Sequence, residues 1–252
     1  MSGLERCGAA ATDPAERAAC LNRLHAGASA REVLEDAVRR EFRGRIALVS
    51  SFGAESAALL HLVSEADPAT PVLFLETGML FAETLQYQRR LAADLGLRDV
   101  RMIRAEAGAL AAGDPDGTLH GRDPDACCDL RKTRPLAEAL LGFDAWITGR
   151  KRFQSGRRAA LETFEAEDGR VKLNPLAGWS AAEVRAYMAR QGLPAHPLVS
   201  QGFPSIGCAP CTSRVEAGED VRAGRWRGRA KDECGIHFVN GKAVRGPAPA
   251  TA

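Results

Sequence analysis

Four of the cysteines stand in two close pairs. Cys127 and Cys128 are adjacent, and Cys208 and Cys211 enclose an Ala-Pro dipeptide in a C-x-x-C sequence. Adjacent cysteines rarely bridge each other without strain, and a C-x-x-C pair is typical of half a zinc or iron–sulfur site. Because the ligands of structural zinc normally lie two to four residues apart, the adjacent pair favours an iron–sulfur cluster held by all four thiolates. A zinc site and four separate buried thiols are the alternatives.

Cys234 lies apart from these pairs, in the sequence Glu-Cys-Gly-Ile-His that ends at His237. Cations precede it at Arg225, Arg227, Arg229 and Lys231. Nearby cations lower the pKa of a thiol, and an exposed thiolate is a nucleophile. We therefore expect Cys234 to be a nucleophile on a mobile tail, with His237 orienting the thiolate or donating a proton. The alternative is a surface thiol without function, which is our interpretation of Cys7 and Cys20.

Two further groups of cations could hold an anionic ligand. Lys132 follows Cys128 by four residues, one helical turn, so its ammonium could reach both a cluster and a ligand phosphate. Five cations occur in the nine residues 150–158, directly after a predicted strand. The planar guanidinium of arginine can grip two oxyanion oxygens at once. Both groups have a simpler interpretation as solvated surface charge.

Two loops after predicted strands have the composition of a nucleotide site. Residues 50–56, SSFGAES, offer hydroxyls, a glycine that permits close backbone approach and the N–H groups of a helix start. Residues 75–78, LETG, form a second loop, and no Walker A sequence occurs. Ordinary strand-to-helix turns are the alternative. The candidate nucleotide-binding residues are Ser50, Ser51, Phe52, Gly53, Ser56, Leu75, Thr77, Gly78 and Gly149.

Alternating strand and helix patterns predict an α/β fold with a parallel sheet and helices on both faces. The predicted strands are 46–49, 72–75, 100–103, 145–148 and 171–173, and the predicted helices are 31–42, 56–66, 83–96, 127–141 and one from the Ser180–Glu183 capping box to Gln191. Residues 108–125 are rich in Gly, Asp and Pro and predict a surface loop. In such sheets ligands bind beyond the carboxyl ends of the strands, where the polar loops lie.

The chain divides into three predicted segments. Residues 1–44 form a helical lead-in, residues 45–195 a nucleotide-binding domain, and residues 196–252 a Cys- and Arg-rich tail with little periodicity. The 252 residues carry 34 basic and 32 acidic side chains, and this balance excludes a generic polycation for nucleic acid. No apolar run is long enough for a membrane span, and the N-terminus lacks a secretory pattern. We expect a cytoplasmic protein with reduced thiols.

The motifs together resemble the assimilatory sulfonucleotide reductases, in particular the cluster-bearing adenylylsulfate (APS) reductases. The resemblance covers residues 45–237 and rests on seven ordered segments: SSFGAES, LETGMLF-AET, CCDLRKTRPL, ITGRKRFQSGRR, LNPLAGWS, GFPSIGCAPCT and ECGIH. It implies a nucleotide-binding fold like that of the ATP pyrophosphatases (adenine nucleotide α-hydrolase-like), followed by a tail that carries the nucleophile.

The resemblance also implies roles for individual residues. The two cysteine pairs would hold a [4Fe-4S] cluster. Cys234 would attack the sulfur of the phosphosulfate, giving AMP and an S-sulfocysteine that thioredoxin or a glutaredoxin-like dithiol reduces to release sulfite. His237 would lie near the nucleophile, and the phosphosulfate would be held by Lys132, Arg158, Arg222 and Arg225. The oligomeric state is left open, with a homo-oligomer as one alternative.

The sequence departs from the family pattern in three places. LETG replaces the more familiar LDTG, and because an acid is kept we expect little effect. The arginine loop is shorter, so that Arg157 competes with Arg158 for the role of the conserved arginine, and we prefer Arg158. CTSR replaces CTR, which displaces Arg214 by one position and removes it from the candidate site.

Three other functions compete with APS reduction. A reductase of the 3′-phosphorylated nucleotide PAPS is the nearest, although its cluster-free relatives lack both cysteine pairs. An ATP-pyrophosphatase-type ligase or thiolase would share the first loop but would not need ECGIH. An iron–sulfur redox sensor or DNA-binding regulator is disfavoured by the near-neutral charge and the lack of a helix-turn-helix pattern.

Overall fold

A six-stranded sheet lies at the centre of the protein. The computed structural model describes residues 13–154, 158–229 and 231, together with the backbone of residues 238–239 and 242–243. The strands are β1 (Ile46–Ser50), β2 (Val72–Leu75), β3 (Val100–Ile103), β4 (Ala145–Ile147), β5 (Phe164–Glu167) and β6 (Arg170–Leu173), with a separate hairpin of β7 (Phe238–Val239) and β8 (Lys242–Ala243). The strand order in the sheet is β3-β2-β1-β4-β6-β5, and all neighbours are parallel except β5 and β6.

Helices cover both faces of the sheet, as predicted. Alternate strand residues point to opposite sides, so Ile46 and Leu48 of β1 join one apolar cluster while Ala47 joins another. The helices are α1 (Pro14–Leu24), α2 (Ala30–Asp36), α3 (Ser56–Ala66), α4 (Ala82–Asp94), α5 (Ala107–Gly113), α6 (Leu119–Arg122), α7 (Pro124–Cys128), α8 (Arg134–Ala139) and α9 (Ala181–Arg190). The larger cluster packs against α1 to α4 and α9, and the smaller one packs against α8. None of the helices in this described part has the length and apolar run that a membrane crossing needs.

Most predicted elements are confirmed, with small shifts at their ends. The helix predicted at 56–66 has those bounds, and Ser180 and Glu183 form the expected capping box. Central strands β1 and β2 are buried almost throughout, which explains their continuous apolar sequences. The edge strand β3 has Arg101 and Met102 exposed.

One expectation about local structure is wrong, one predicted helix differs in detail, and one strand was not predicted. Residues 108–125 are not a simple loop, because α5, α6 and the start of α7 lie there. The helix predicted over 127–141 contains a π-helical turn, Asp129–Thr133, between α7 and α8. Strand β5 was not predicted, although its hairpin with β6 turns at Asp168 and Gly169, both with positive φ (+52° and +72°), and Asp-Gly is a known signal for this turn.

After α9 the chain returns across the sheet edge with little regular structure. His196 fixes this return, because its Nε2 lies 3.0 Å from Thr84 Oγ1 on α4 and its Nδ1 accepts the Leu198 N–H at 3.2 Å. The Tyr87 hydroxyl donates to the Pro194 carbonyl at 2.8 Å. These buried contacts on α4 attach residues 194–198 to the body, and the boundary at residue 196 stays a prediction.

Candidate active site

The sheet has a topological switch point between β1 and β4. From β1 the strand order continues to β2 on one side, and from β4 to β6 on the other. The loops that follow β1 and β4 therefore diverge and leave a crevice at the carboxyl ends of the strands, where ligands bind in open α/β sheets. The three loops that the sequence singles out, after β1, β2 and β4, all lie along this edge.

The loop after β1 gathers hydroxyls around a glycine. A Cβ on Gly53 would lie 3.5 Å from Ser51 Oγ and 3.9 Å from Ser56 Oγ, so both hydroxyls face this glycine. Phe52 has a positive φ of +48°, and its buried ring packs edge-on against Phe74 at 5.2 Å. Ser50 Oγ accepts the Phe52 N–H at 3.1 Å. Phe52 can therefore offer a ligand only its backbone, while Ser51 and Ser56 offer hydroxyls.

The loop after β2 contacts the cysteines. Thr77 Oγ1 lies 3.3 Å from Cys208 Sγ, and the Met79 carbonyl accepts the Ala209 N–H at 2.7 Å. Glu76 is buried, and its carboxylate accepts the Gly78 N–H at 2.7 Å and Arg104 Nε at 2.7 Å. The side chain of Leu75 belongs to the smaller apolar cluster. Only the backbone of Leu75 is thus available to a ligand, and Thr77 faces the sulfur atoms.

The four paired cysteines line one cavity. Cys127, Cys128 and Cys208 are buried, Cys211 is partly buried, and none of these four is disulfide-bonded. Burial is the main cause that raises the pKa of Cys127 and of Cys211, and the neighbouring Cys208 raises both further. Repulsion between neighbouring thiolates acts in this direction, in keeping with the shared cavity. Lys132 lines the same cavity and opposes the rise at Cys211.

Hydrogen-bond donors surround this cavity. Arg131 is held by a buried ion pair with Asp114 (2.7 Å) and by the Thr77 carbonyl (2.9 Å), yet its Nε is buried without a partner among the described residues. Within the same part of the chain, the indole Nε1 of Trp226, which also lines the cavity, is likewise buried without a partner. A buried N–H without an acceptor is costly, and sulfur atoms held by the four cysteines would supply one. The donor set therefore fits an anionic iron–sulfur group. Among the described residues, no three His, Cys, Asp or Glu side chains form a group that could hold a metal ion.

Arg131, Asp114 and Trp226 were not among the predicted site residues. Arg131 follows Cys127 by four residues, the same spacing that pointed to Lys132 after Cys128, so the signal for Arg131 was present. Nothing local in the sequence indicates Asp114, because it reaches Arg131 from the segment predicted to be a surface loop.

Residues 202–226 bring two predicted arginines to the first loop. Arg225 Nη1 donates to the Ile206 carbonyl at 3.3 Å, and that carbonyl would lie 3.5 Å from a Cβ on Gly53. A Cβ on Gly207 would lie only 2.3 Å from Arg225 Nη2, so the glycine leaves space for the guanidinium. The Arg222 carbonyl accepts the Arg225 N–H at 2.8 Å, which places Arg222 in the same turn.

The loop after β4 is joined to the loop after β1 by a polar network. Glu55 Oε2 accepts Lys151 Nζ at 2.9 Å and Gln154 Nε2 at 3.1 Å, and Gln154 Oε1 accepts a hydrogen bond from Arg158. Lys151 Nζ also donates to the Gly149 carbonyl at 3.0 Å. Burial lowers the pKa of Lys151, and the Glu55 carboxylate opposes this. The network connects Arg158 to the edge of the crevice.

Several predictions fall on other parts of the chain. Cys234, His237 and the competing Arg157 lie outside the described residues, so their roles stay predictions. Cys20 is disulfide-bonded, and the expectation that every cysteine is reduced is wrong for this residue.

Comparisons with known proteins identify the family of this chain. The model of the phosphoadenosine phosphosulfate reductase domain matches residues 45–214. The adenosine 5'-phosphosulfate reductase of Mesorhizobium japonicum is 50% identical over 235 residues, which cover 93% of this chain and 92% of the relative. The phosphoadenosine 5'-phosphosulfate reductase of Gloeobacter violaceus is 41% identical over 210 residues, covering 81% and 87%.

A solved structure confirms the predicted fold class. The crystal structure of phosphoadenylyl-sulfate reductase from Candida auris aligns with a TM-score of 0.68 and 28% identity, covering 79% of this chain and 97% of that one. The extent of the domain match and the identity with full-length relatives show that this chain belongs to the phosphoadenosine phosphosulfate reductase domain family.

Proposed function

We propose that the chain reduces adenylylsulfate to sulfite and AMP in assimilatory sulfate reduction. The observation that carries this proposal is the meeting of a four-thiol cavity and the nucleotide loops at one sheet edge, through the contact of Thr77 with Cys208. The 50% identity to a protein named adenosine 5'-phosphosulfate reductase supports the same substrate.

In the proposed first step, the Cys234 thiolate attacks the sulfur atom of the phosphosulfate. An S–S bond forms, the bond between sulfur and the bridging phosphate oxygen breaks, and AMP leaves with the electron pair of that bond. The product on the enzyme is an S-sulfocysteine. A dithiol reductant of the thioredoxin or glutaredoxin class then supplies two electrons, so that sulfite and the Cys234 thiolate are released and the reductant becomes a disulfide. His237 would orient the thiolate or manage its proton.

Cations of this chain would stabilise the charge that develops on the departing phosphate. Lys132 lies at the thiol cavity and Arg225 at the loop after β1, so they approach the crevice from two sides. Arg158 and Arg222 would complete the set. A fixed donor aimed at developing charge is worth about 3 kcal/mol of transition-state stabilisation.

The residues that would hold a [4Fe-4S] cluster are Cys127, Cys128, Cys208 and Cys211. When bound, the cluster would supply structural cross-linking and an electrostatic field rather than electrons, because the dithiol already supplies the two that are needed. Arg131 and Trp226 would donate their unpaired N–H groups to its sulfur atoms. A change in cluster oxidation state during turnover would contradict this assignment.

The most direct test uses purified protein and APS without a reductant. We expect the mass of the chain to rise by one SO3 group, located on Cys234 by peptide mapping. Cys234→Ser should abolish the adduct and sulfite formation while keeping iron content. The control, Ser200→Ala at an exposed position after α9, should form the adduct as the wild-type protein does. An unmodified Cys234, or sulfite formation without it, would overturn the proposal.

PAPS is the second candidate substrate. It is favoured by the domain that the chain matches and by the name of the Gloeobacter violaceus relative. The presence of both cysteine pairs favours APS. Comparing kcat/KM for the two nucleotides decides between them, and a strong preference for PAPS would reject our choice. The cytoplasmic location, the identity of the dithiol partner and a homo-oligomeric state stay predictions.

A further inference from the structure

Lys231, three residues before Cys234, is attached to the helix that carries two of the paired cysteines. Lys231 forms an ion pair with Asp125, in the first turn of α7, and the Lys231 side chain is only 8% exposed. Two residues earlier, the Arg229 guanidinium donates to the His120 carbonyl on α6. Two separate contacts therefore hold Arg229 against α6 and Lys231 against α7.

Trp226 links this attachment to the candidate site. Its ring is buried, lines the thiol cavity and lies between two cations, Arg225 at 4.4 Å and Lys231 at 5.6 Å from the ring centroid. The backbone N–H of Trp226 donates to the Cys211 carbonyl at 3.1 Å. Cation–π contact favours both positions, so Lys231 rests on a ring that also contacts a predicted phosphosulfate ligand.

Asp125 is available for Lys231 because a neighbouring carboxylate caps the helix. Asp123 accepts the N–H groups of Asp125 and Ala126 at 3.0 and 2.9 Å, the usual role of an N-cap residue. The carboxylate of Asp125 has no part in that cap. Asp123 thus caps the helix, and Asp125 binds Lys231.

Covalent geometry connects Lys231 to the nucleophile. Cys234 follows Lys231 by three residues, and an extended chain of three residues spans at most about 10 Å. Fixing Lys231 beside the thiol cavity therefore confines the thiol of Cys234 to a small volume near the site. Restricting a nucleophile in this way raises its effective concentration at the reacting atom.

We propose that Asp125 is a positioning residue for the nucleophilic tail. It holds Lys231 on the ring of Trp226, so that Cys234 begins close to the phosphosulfate, and it contacts neither the substrate nor the reacting atoms. This inference rests on the proposed function and adds to it a residue outside the predicted site.

The test is a double-mutant cycle that neutralises the ion pair, followed by single-turnover measurement of the S-sulfo adduct. Asp125→Asn and Lys231→Gln should each slow adduct formation about 5-fold, the upper end for a partly exposed ion pair. The double variant should be no slower than Lys231→Gln, because the second substitution removes a partner that is already lost. AMP affinity and iron content should not change in any of these variants, and the matched control Asp123→Asn should react as the wild-type protein does.

A second readout does not depend on sulfur chemistry. Tryptic cleavage after Lys231 should be faster in Asp125→Asn than in the wild-type protein, because the lysine loses its partner. Wild-type rates of adduct formation in both single variants, together with a wild-type rate of cleavage in Asp125→Asn, would overturn the proposal. So would losses that add up in the double variant, since that would indicate separate roles of the two side chains. Absence of the adduct in the wild-type protein would overturn the proposed function instead, and cleavage would still report on the attachment.

Discussion

At the scale of single residues, the space around Gly207 decides where the guanidinium of Arg225 lies. An alanine Cβ would come within 2.3 Å of Arg225 Nη2 and 2.6 Å of its Cζ. Because these atoms are the end of a flexible side chain, the arginine can move while the backbone stays. We expect Gly207→Ala to raise KM for APS about 10-fold, equivalent to about 1.4 kcal/mol, and to leave the free energy of unfolding nearly unchanged.

Two glycine variants serve as controls for this prediction. Gly108→Ala on α5 places its Cβ in open space and should leave KM unchanged. Gly224→Ala would put its Cβ 2.2 Å from the Ser213 carbonyl oxygen, a backbone atom, and should lower stability. A wild-type KM for Gly207→Ala would show that Arg225 does not bind the substrate from this position.

His196 makes the stability of the fold depend on acid pH. Burial lowers the pKa of His196 to about 4, and the weaker attraction of Glu83 opposes this shift. Nδ1 accepts the Leu198 N–H, so the added proton would break that contact. A folded-state pKa below the unfolded value of 6.5 means that the unfolded chain binds more protons between pH 6.5 and 4. The stability from His196 is therefore complete above pH 6.5 and is lost as the pH falls toward 4, by up to about 3 kcal/mol.

Chemical denaturation at several pH values measures this effect. The difference in unfolding free energy between the wild-type protein and His196→Gln should be largest at neutral pH and should shrink as the pH falls from 6.5 to 4. The variant controls for every other group that titrates in this range. A difference that does not vary with pH would show that the pKa of His196 is the same in the folded and unfolded states.

At this scale the sequence predicts residues whose chemistry is marked by spacing. The two members of each cysteine pair lie within one turn of chain, and Lys132 follows the first pair by one helical turn. The structure places all of these residues around one cavity. Asp114 could not be predicted, because its importance comes from a buried ion pair with Arg131 across 17 residues of chain. Such a contact depends on how α5 packs against the π-helical turn, which local patterns do not encode.

At the scale of elements, Glu55 and Lys151 join the loops on the two sides of the crevice. Lys151 is 2% exposed, so removing the charge of Glu55 leaves a buried ammonium without its counter-charge. We expect Glu55→Gln to destabilise the protein by about 1–3 kcal/mol. The double variant Glu55→Gln with Lys151→Met should recover most of that loss, because it removes both charges together.

Denaturant titration of the two single variants and the double variant gives the coupling energy. The same variants should weaken APS binding, because Gln154 connects Glu55 to Arg158. A matched control is Glu65→Gln, on α3 with a partly exposed carboxylate. Additive losses in the double variant would show that the two side chains are not coupled and that the network does not hold the crevice together.

Helices and strands whose sequence shows one clear hydrophobic pattern were predicted correctly. Elements whose composition fits both a loop and a helix were not. Strands β1 and β2 are continuous apolar runs, and α3 and α9 have clear helical periodicity. The Gly, Asp and Pro content of residues 108–125 suggested a loop, yet short helices form there because Asp114 and Asp123 accept backbone N–H groups at the starts of α6 and α7. Polar side chains of this kind serve both turns and caps, so composition alone does not distinguish them.

At the scale of the whole molecule, the described chain after α9 closes the site by returning to both nucleotide loops. Ile206 meets the loop after β1, and Cys208 and Ala209 meet the loop after β2. The sequence predicts that this segment is irregular, but its path depends on contacts with residues more than 100 positions away. The family resemblance implied that the two cysteine pairs meet, and the structure shows the attachments through His196 and Ala209 that bring them together.

From the course of the chain after α9, we predict that a bound cluster would stabilise the whole molecule. Its ligands come from α7 and from the segment after α9, so a bound cluster would cross-link positions about 80 residues apart and reduce the entropy of the unfolded chain. We expect Cys208→Ser to lose iron, lower the unfolding midpoint and expose residues 202–229 to protease, while the sheet stays protected. Cys234→Ser is the control that should keep both iron and protection. If Cys208→Ser loses iron but its C-terminal segment resists protease as before, the direct contacts of His196 and Ala209 are sufficient to hold that segment, and the cluster has no part in stabilising it.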